Sequence, residues 1–164
     1  MAFAQSAPSS PAKAALAQDP LAPAGLLLSA LGIGMLIDVE PWNGMRMGNL
    51  SGAEMSIDGF SLHGDRFAVS SGANGLFVRR NGAPWIETDR PAIIRNITQT
   101  DREMSLQAKI TGEGTLRISV HGYAPHQTVS LKVNGIAHAV PADANGVVEQ
   151  VVELSSPGGM GLAA

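Results

Sequence analysis

From Thr115 to Leu154 apolar and polar side chains take turns along the chain. Leu116, Ile118 and Val120 alternate with Thr115, Arg117, Ser119 and His121, and Val129, Leu131 and Val133 alternate with Ser130, Lys132 and Asn134. A period of two puts one set on a buried face and the other in water, so both runs predict strands. Asn134-Gly135 follows the second run, and both residues accept the positive φ of a two-residue hairpin turn. Asp143-Ala144-Asn145-Gly146 repeats the turn chemistry ahead of Val147 to Leu154. The expectation is a meander, each strand pairing with the next.

Upstream the alternation continues in shorter pieces. Met55 and Ile57, then Phe60 and Leu62, supply inward residues; Arg66 to Ser70 and Leu76 to Arg80 read as strands joined across Ser71 to Gly75. A hairpin follows at Asn81-Gly82, leading into Trp85-Ile86-Glu87, with Pro84 suited to an edge because it cannot donate to a ladder. Ala92 to Thr98 is a β-branched run, and Met104, Leu106, Ala108 and Ile110 alternate with polar neighbours. Strand centres fall about eight to twelve residues apart, the spacing of a sandwich. The fold class is therefore all-β, an antiparallel β-sandwich of about nine or ten strands between Met55 and Leu154. Its core should hold Leu106, Ile110, Leu116, Ile118, Val120, Val129, Leu131 and Val133.

The first third does not alternate. Residues 1–23 are an extended arm rich in Ala, Pro and Ser. They lack the basic start and apolar core of an intact signal peptide, although Ala2-Phe3-Ala4-Gln5 has the small-x-small character of the end of one. Residues 24–41 are an apolar docking segment, ended by Asp38, Glu40 and Pro41. Its apolar run as a helix is roughly 21 Å long, short of the roughly 30 Å of a bilayer core, so no membrane span is expected. Leu26, Leu27, Leu28, Leu31, Ile33, Met35, Leu36 and Ile37 are too many large apolar side chains to leave in water. A partner subunit is the expected cover. The sandwich then occupies residues 42–156, and residues 157–164 form a Gly-rich tail.

One stretch carries a resemblance. The pattern G-Y-A-P-x-x-T-V-S-L-x-V-N-G from Gly122, followed by A-D-A-N-G-V from Ala142, resembles the later strands of bacterial immunoglobulin-like domains. It covers residues 112–154. Such modules occur in surface adhesins, in secreted glycan-degrading enzymes and on virion proteins. The resemblance implies an immunoglobulin-like sandwich, a role in spacing, adhesion or assembly, and an extracellular, periplasmic or virion setting. It carries over no functional residue.

Composition narrows the chemistry. Charged residues are 15% of the chain against 45% hydrophobic, with 19 glycines and 10 prolines, which suits close turns between strands. A net charge of −3 argues against a nucleic-acid partner, which requires a basic face. Without cysteine there is no disulfide, thiol nucleophile or thiolate metal site. His63, His121, His126 and His138 stand outside any metal-ligand spacing. Phe60 and Leu62 alternate as strand residues, so Ser61 and His63 are expected together on the opposite face, but no oxyanion hole or orienting carboxylate accompanies them. The oxygen ligands at Asp143 and Asn145 have calcium-like spacing without the closing residues of a calcium loop. No catalytic residue, cofactor or metal site is therefore expected.

One cluster invites a ligand. Arg79, Arg80, Trp85 and Arg90 surround a single hairpin, and aromatic faces stack on sugars while arginines grip carboxylates. Two readings follow. The first is a non-enzymatic structural subunit of a larger assembly, of virion, surface or membrane-complex type, docking through its N-terminal arm on other protein subunits. The alternative is a glycan-binding or spacer module of a secreted bacterial protein.

Overall fold

Every alternating run from Met55 onward is a strand. The computed structural model of the chain describes residues 37–40 and 44–155, all within one compact unit, and no helix forms among them. The strands are β1 (Ile37–Glu40), β2 (Gly44–Gly48), β3 (Met55–Leu62), β4 (Asp65–Gly72), β5 (Gly75–Arg80), β6 (Ala83–Thr88), β7 (Ile93–Gln99), β8 (Glu103–Lys109), β9 (Gly114–Val120), β10 (Thr128–Val133), β11 (Ile136–Pro141) and β12 (Val148–Leu154). The arm at residues 1–23, the side chains from Leu26 to Ile37 and the tail at 157–164 lie outside the described residues.

Two six-stranded sheets face each other. The first runs β1-β2-β7-β8-β10-β11 and the second β12-β9-β6-β5-β4-β3. Contacts of β2 with β4, and of β11 and β10 with β12, align the sheets so that β1 and β3 share one flank and β11 and β12 the other. The interior between them takes Met47, Leu76, Ile86, Ile94, Met104, Leu106, Leu116, Ile118 and Leu131, each with less than 2% of its surface exposed. The eight residues expected in the core are all buried. At about 25 cal/mol per Å² of apolar surface removed from water, these side chains supply most of the driving force for closure.

Three expectations are corrected. The stretch from Thr115 to Leu154 is no meander: β9 pairs with β12 in the second sheet, while the β10–β11 hairpin between them belongs to the first. Alternation says only that each strand has one buried face, and the two sheets offer equivalent interiors. The sandwich is also not wholly antiparallel, because β10 lies parallel to β8, with Leu131 opposite Met104 and Val133 opposite Leu106. Finally, the sheet begins earlier than residue 42. Ile37–Glu40 pairs with β2, Ile37 opposite Met47, so the end of the expected docking segment is a strand of the first sheet.

Bulges locally re-aim the alternation. Between Val78 opposite Ile86 and Arg79 opposite Pro84, strand β6 carries one extra residue, Trp85. Such an insertion breaks the period of two. Trp85 and Ile86 consequently both turn inward, at 8% and 0% exposure.

Candidate functional site

The four residues expected to form a glycan surface are dispersed. Trp85 is a core residue: its ring lies 5.7 Å from Phe67, and its indole N–H donates to Gln99 Oε1 at 2.7 Å. The Arg80 guanidinium sits 5.4 Å over the Trp85 ring, and its Nε donates to Asp65 Oδ2 at 2.8 Å. Arg79 projects from the opposite face of β5, and Arg90 is exposed in the loop after β6, beside Gly114. Trp85 and Arg80 are thus consumed by the fold, and no shared platform joins the four. The bulge turns Trp85 inward, ordinary alternation on β5 parts Arg79 from Arg80, and Arg90 lies beyond the strand.

Ser61 and His63 are likewise separated. Ser61 faces outward on β3 opposite Arg66, but His63 has left the strand and occupies the β3–β4 turn with φ 50°. His126 is in a turn with φ 63°, and His138 sits half-buried on β11. His121 Nε2 is buried without a hydrogen-bond partner, 3.7 Å from Glu87 Oε1. Among the described residues no group of three His, Asp or Glu side chains is disposed to hold a metal ion.

The carboxylates with shifted acidity serve turns. Asp143 Oδ1 accepts the backbone N–H groups of Val147 at 2.9 Å and Asn145 at 2.8 Å. The Val147 bond is the main reason its carboxyl is held below the usual value of 3.8. Asp65 is held down first by the Asn81 amide and then by Arg80. Burial raises the Tyr123 phenol, an effect partly opposed by Gln99 and reinforced by Glu103. The Tyr123 hydroxyl sits near the Trp85–Gln99 pair without a hydrogen bond of its own.

Among the described residues, two grooves are left on the sheets. On the second sheet a groove of about 540 Å³ runs over β3 to β6. Phe77, 41% exposed, stands in it beside Arg79 and Arg66, with Asp58, Glu87 and Ser70 around them. On the first sheet a groove of about 720 Å³ carries Arg46, Arg95 and Lys109 over a floor that includes Leu50, Ile93 and Ile110. Arg95 Nε donates to Gln107 Oε1 at 2.9 Å, and Asn96 Nδ2 reaches the same oxygen at 3.1 Å. This network leaves the Arg95 terminal nitrogens for other partners. The β7 bulge between Arg95 and Thr98 puts Asn96 at φ 52° beside it. Among the described residues no carboxylate lies within ion-pair distance of Arg46, Arg95 or Lys109; Asp38 is the β1 residue opposite Arg46.

Neither groove was anticipated. Phe77 is legible as an outward position, because Leu76 and Val78 on either side point in. The three cations come from β2, β7 and β8, and only the strand order brings them together.

No family model matches the chain, and no curated protein or solved structure matches it. Among the described residues no helix is long and apolar enough to cross a membrane.

Proposed function

We propose that the chain is a non-enzymatic subunit of a larger assembly, of virion, surface or membrane-complex type, held to neighbouring subunits by residues 24–36. One observation carries this reading. The sandwich fills its interior with side chains from Met47 to Leu154, yet Leu26 to Leu36 adds seven further large apolar side chains. Exposing them would cost roughly 1.5–3 kcal/mol each, together as much as a typical domain's stability of about 5–15 kcal/mol. Ser61 and His63 do not converge, and the shifted carboxylates are spent on turns, which fits a role without catalysis. The turn pattern over residues 112–154 supports placing the sandwich among immunoglobulin-like modules.

The test is the mass of the full chain in solution. Light scattering on dilution should give an oligomer, and Leu27→Asp with Leu31→Asp should give a folded species of lower mass. A monomeric wild-type chain at every concentration overturns the reading.

A glycan-binding module remains the second reading, and Phe77 is the specific observation that favours it. A ring exposed between arginines suits stacking on a sugar with hydrogen bonds to its substituents. Affinity electrophoresis in acidic and neutral polysaccharides should show retardation that Phe77→Ala removes.

A further inference from the structure

The groove on the first sheet has a chemistry that the same molecule answers elsewhere. Its rim carries Arg46, Arg95 and Lys109, its floor is aliphatic, Leu154 and Ser155 at the end of β12 close one side, and among the residues with described side chains no aromatic ring or carboxylate lines it. Three cations around an apolar floor fit an extended segment that alternates carboxylates with aliphatic side chains. They fit nucleic acid poorly, since single strands need aromatic faces for stacking and the chain as a whole is at −3. Lacking a ring, the floor also gives a sugar nothing to stack on.

Strand β12 presents such a segment outward. Glu149, Val151 and Glu153 point away from the core at the edge of the second sheet, and Val151 is 46% exposed. The Arg117–Glu149 ion pair is 3.6 Å long with both partners more than half exposed, so it is a weak competitor for Glu149. The two spacings are of the same order. Glu149 and Glu153 lie about 13 Å apart at about 3.3 Å per residue, and cations on β2, β7 and β8 spread over about 10 Å at about 4.8 Å per strand.

We propose that the first-sheet groove receives the Glu149-Val151-Glu153 stripe of a second copy of this chain. Val151 enters the aliphatic floor while the two glutamates meet Arg46, Arg95 and Lys109. Stripe and groove are different patches, so the contact is head-to-tail and each pair of subunits retains one free groove and one free stripe. This rests on the assembly reading and names a partner surface for it. Charge pairs of this kind set specificity and speed of association, so the contact weakens with added salt.

The experiment is charge exchange in the full chain, followed by sedimentation across a dilution series at low and high salt. Arg95→Glu alone and Glu153→Arg alone should each weaken association by about tenfold or more, with unchanged circular dichroism. Arg95→Glu and Glu153→Arg together in one chain should restore it. If the wild-type chain associates and neither single reversal alters that, the groove contact is overturned while assembly stands. Single losses without rescue by the double reversal also overturn it. A chain that never associates removes both readings. Binding of heparin or oligodeoxythymidylate that depends on Arg95, with no self-association, assigns the groove to another anion and overturns the proposal.

Discussion

Two turns bracket β11, and they hold the chain by different means. At Asn134-Gly135 both residues have positive φ, 51° and 88°, and the turn closes the β10–β11 hairpin. The Asn134 side chain then does a strand's work. Its Oδ1 accepts the Ala108 N–H at 2.8 Å and its Nδ2 donates to the Ala108 carbonyl at 3.0 Å, prolonging the parallel β8–β10 ladder past its last residue. At Asp143 to Gly146 the chain leaves one sheet for the other. Here the Asp143 carboxylate gathers the N–H groups of Asn145 and Val147, and the Gly146 carbonyl accepts the Tyr123 N–H at 3.1 Å. The first turn is open to solvent beyond its glycine, and the second is pinned to a neighbouring loop. Similar residues can thus end a hairpin or change sheets, depending on what the glycine rests against.

The hairpin depends first on what lies beneath it. Leu131 is fully buried on β10, and Leu131→Ala should lower stability by about 2–5 kcal/mol in chemical denaturation. The corner should fail at its glycine. A Cβ at Gly146 would lie against the Tyr123 carbonyl oxygen far inside contact distance, and φ is already 76°. Overpacking and left-handed strain together predict a loss of about 2–4 kcal/mol for Gly146→Ala. Asn134→Ala removes both bonds to Ala108, and a loss of about 1–3 kcal/mol is expected, with faster amide exchange at Ala108 as the local readout.

The sharpest contrast is the matched substitution. Gly135 has nothing within 4 Å of its missing Cβ, so Gly135→Ala should meet strain alone, about 1–2 kcal/mol, and less than Gly146→Ala. Equal losses would mean that the Tyr123 contact is unimportant. The smallest effect is acidic. Because the folded-state pKa of Asp143 is depressed, its contribution is complete above the ordinary value of 3.8 and disappears as pH falls through the lowered one. Melting temperatures followed into strong acid should therefore fall less steeply in Asp143→Asn than in the wild type.

Much of the fold is legible in the residues themselves. Alternation located the strands, and Asn81-Gly82 and Asn134-Gly135 marked their hairpins, because burial and positive φ are local demands. Sheet membership was not legible. Val148, Val152 and Leu154 carry one buried face whichever sheet they join, and beyond the corner at Gly146 they pair with β9. The candidate surfaces suffered more. Trp85 looked available only while the strand was assumed regular, and the single inserted residue turned its ring inward. Arg46, Arg95 and Lys109 are scattered in sequence, so nothing short of the β2-β7-β8 order joins them.

The pairing of β9 with β12 has a consequence for the chain as it is synthesised. Strand β9 joins β6 on one side, and its other edge waits for β12, which emerges only after the β10–β11 hairpin. At about 5–20 residues per second that delay is on the order of seconds. Throughout it, alternate positions along that edge, Leu116, Ile118 and Val120 among them, offer unpaired N–H and carbonyl groups. A nascent chain in this state is a template for any passing strand. The vulnerable moment of this protein falls before its last described strand arrives, and crowded translation of the same message is where it would be felt.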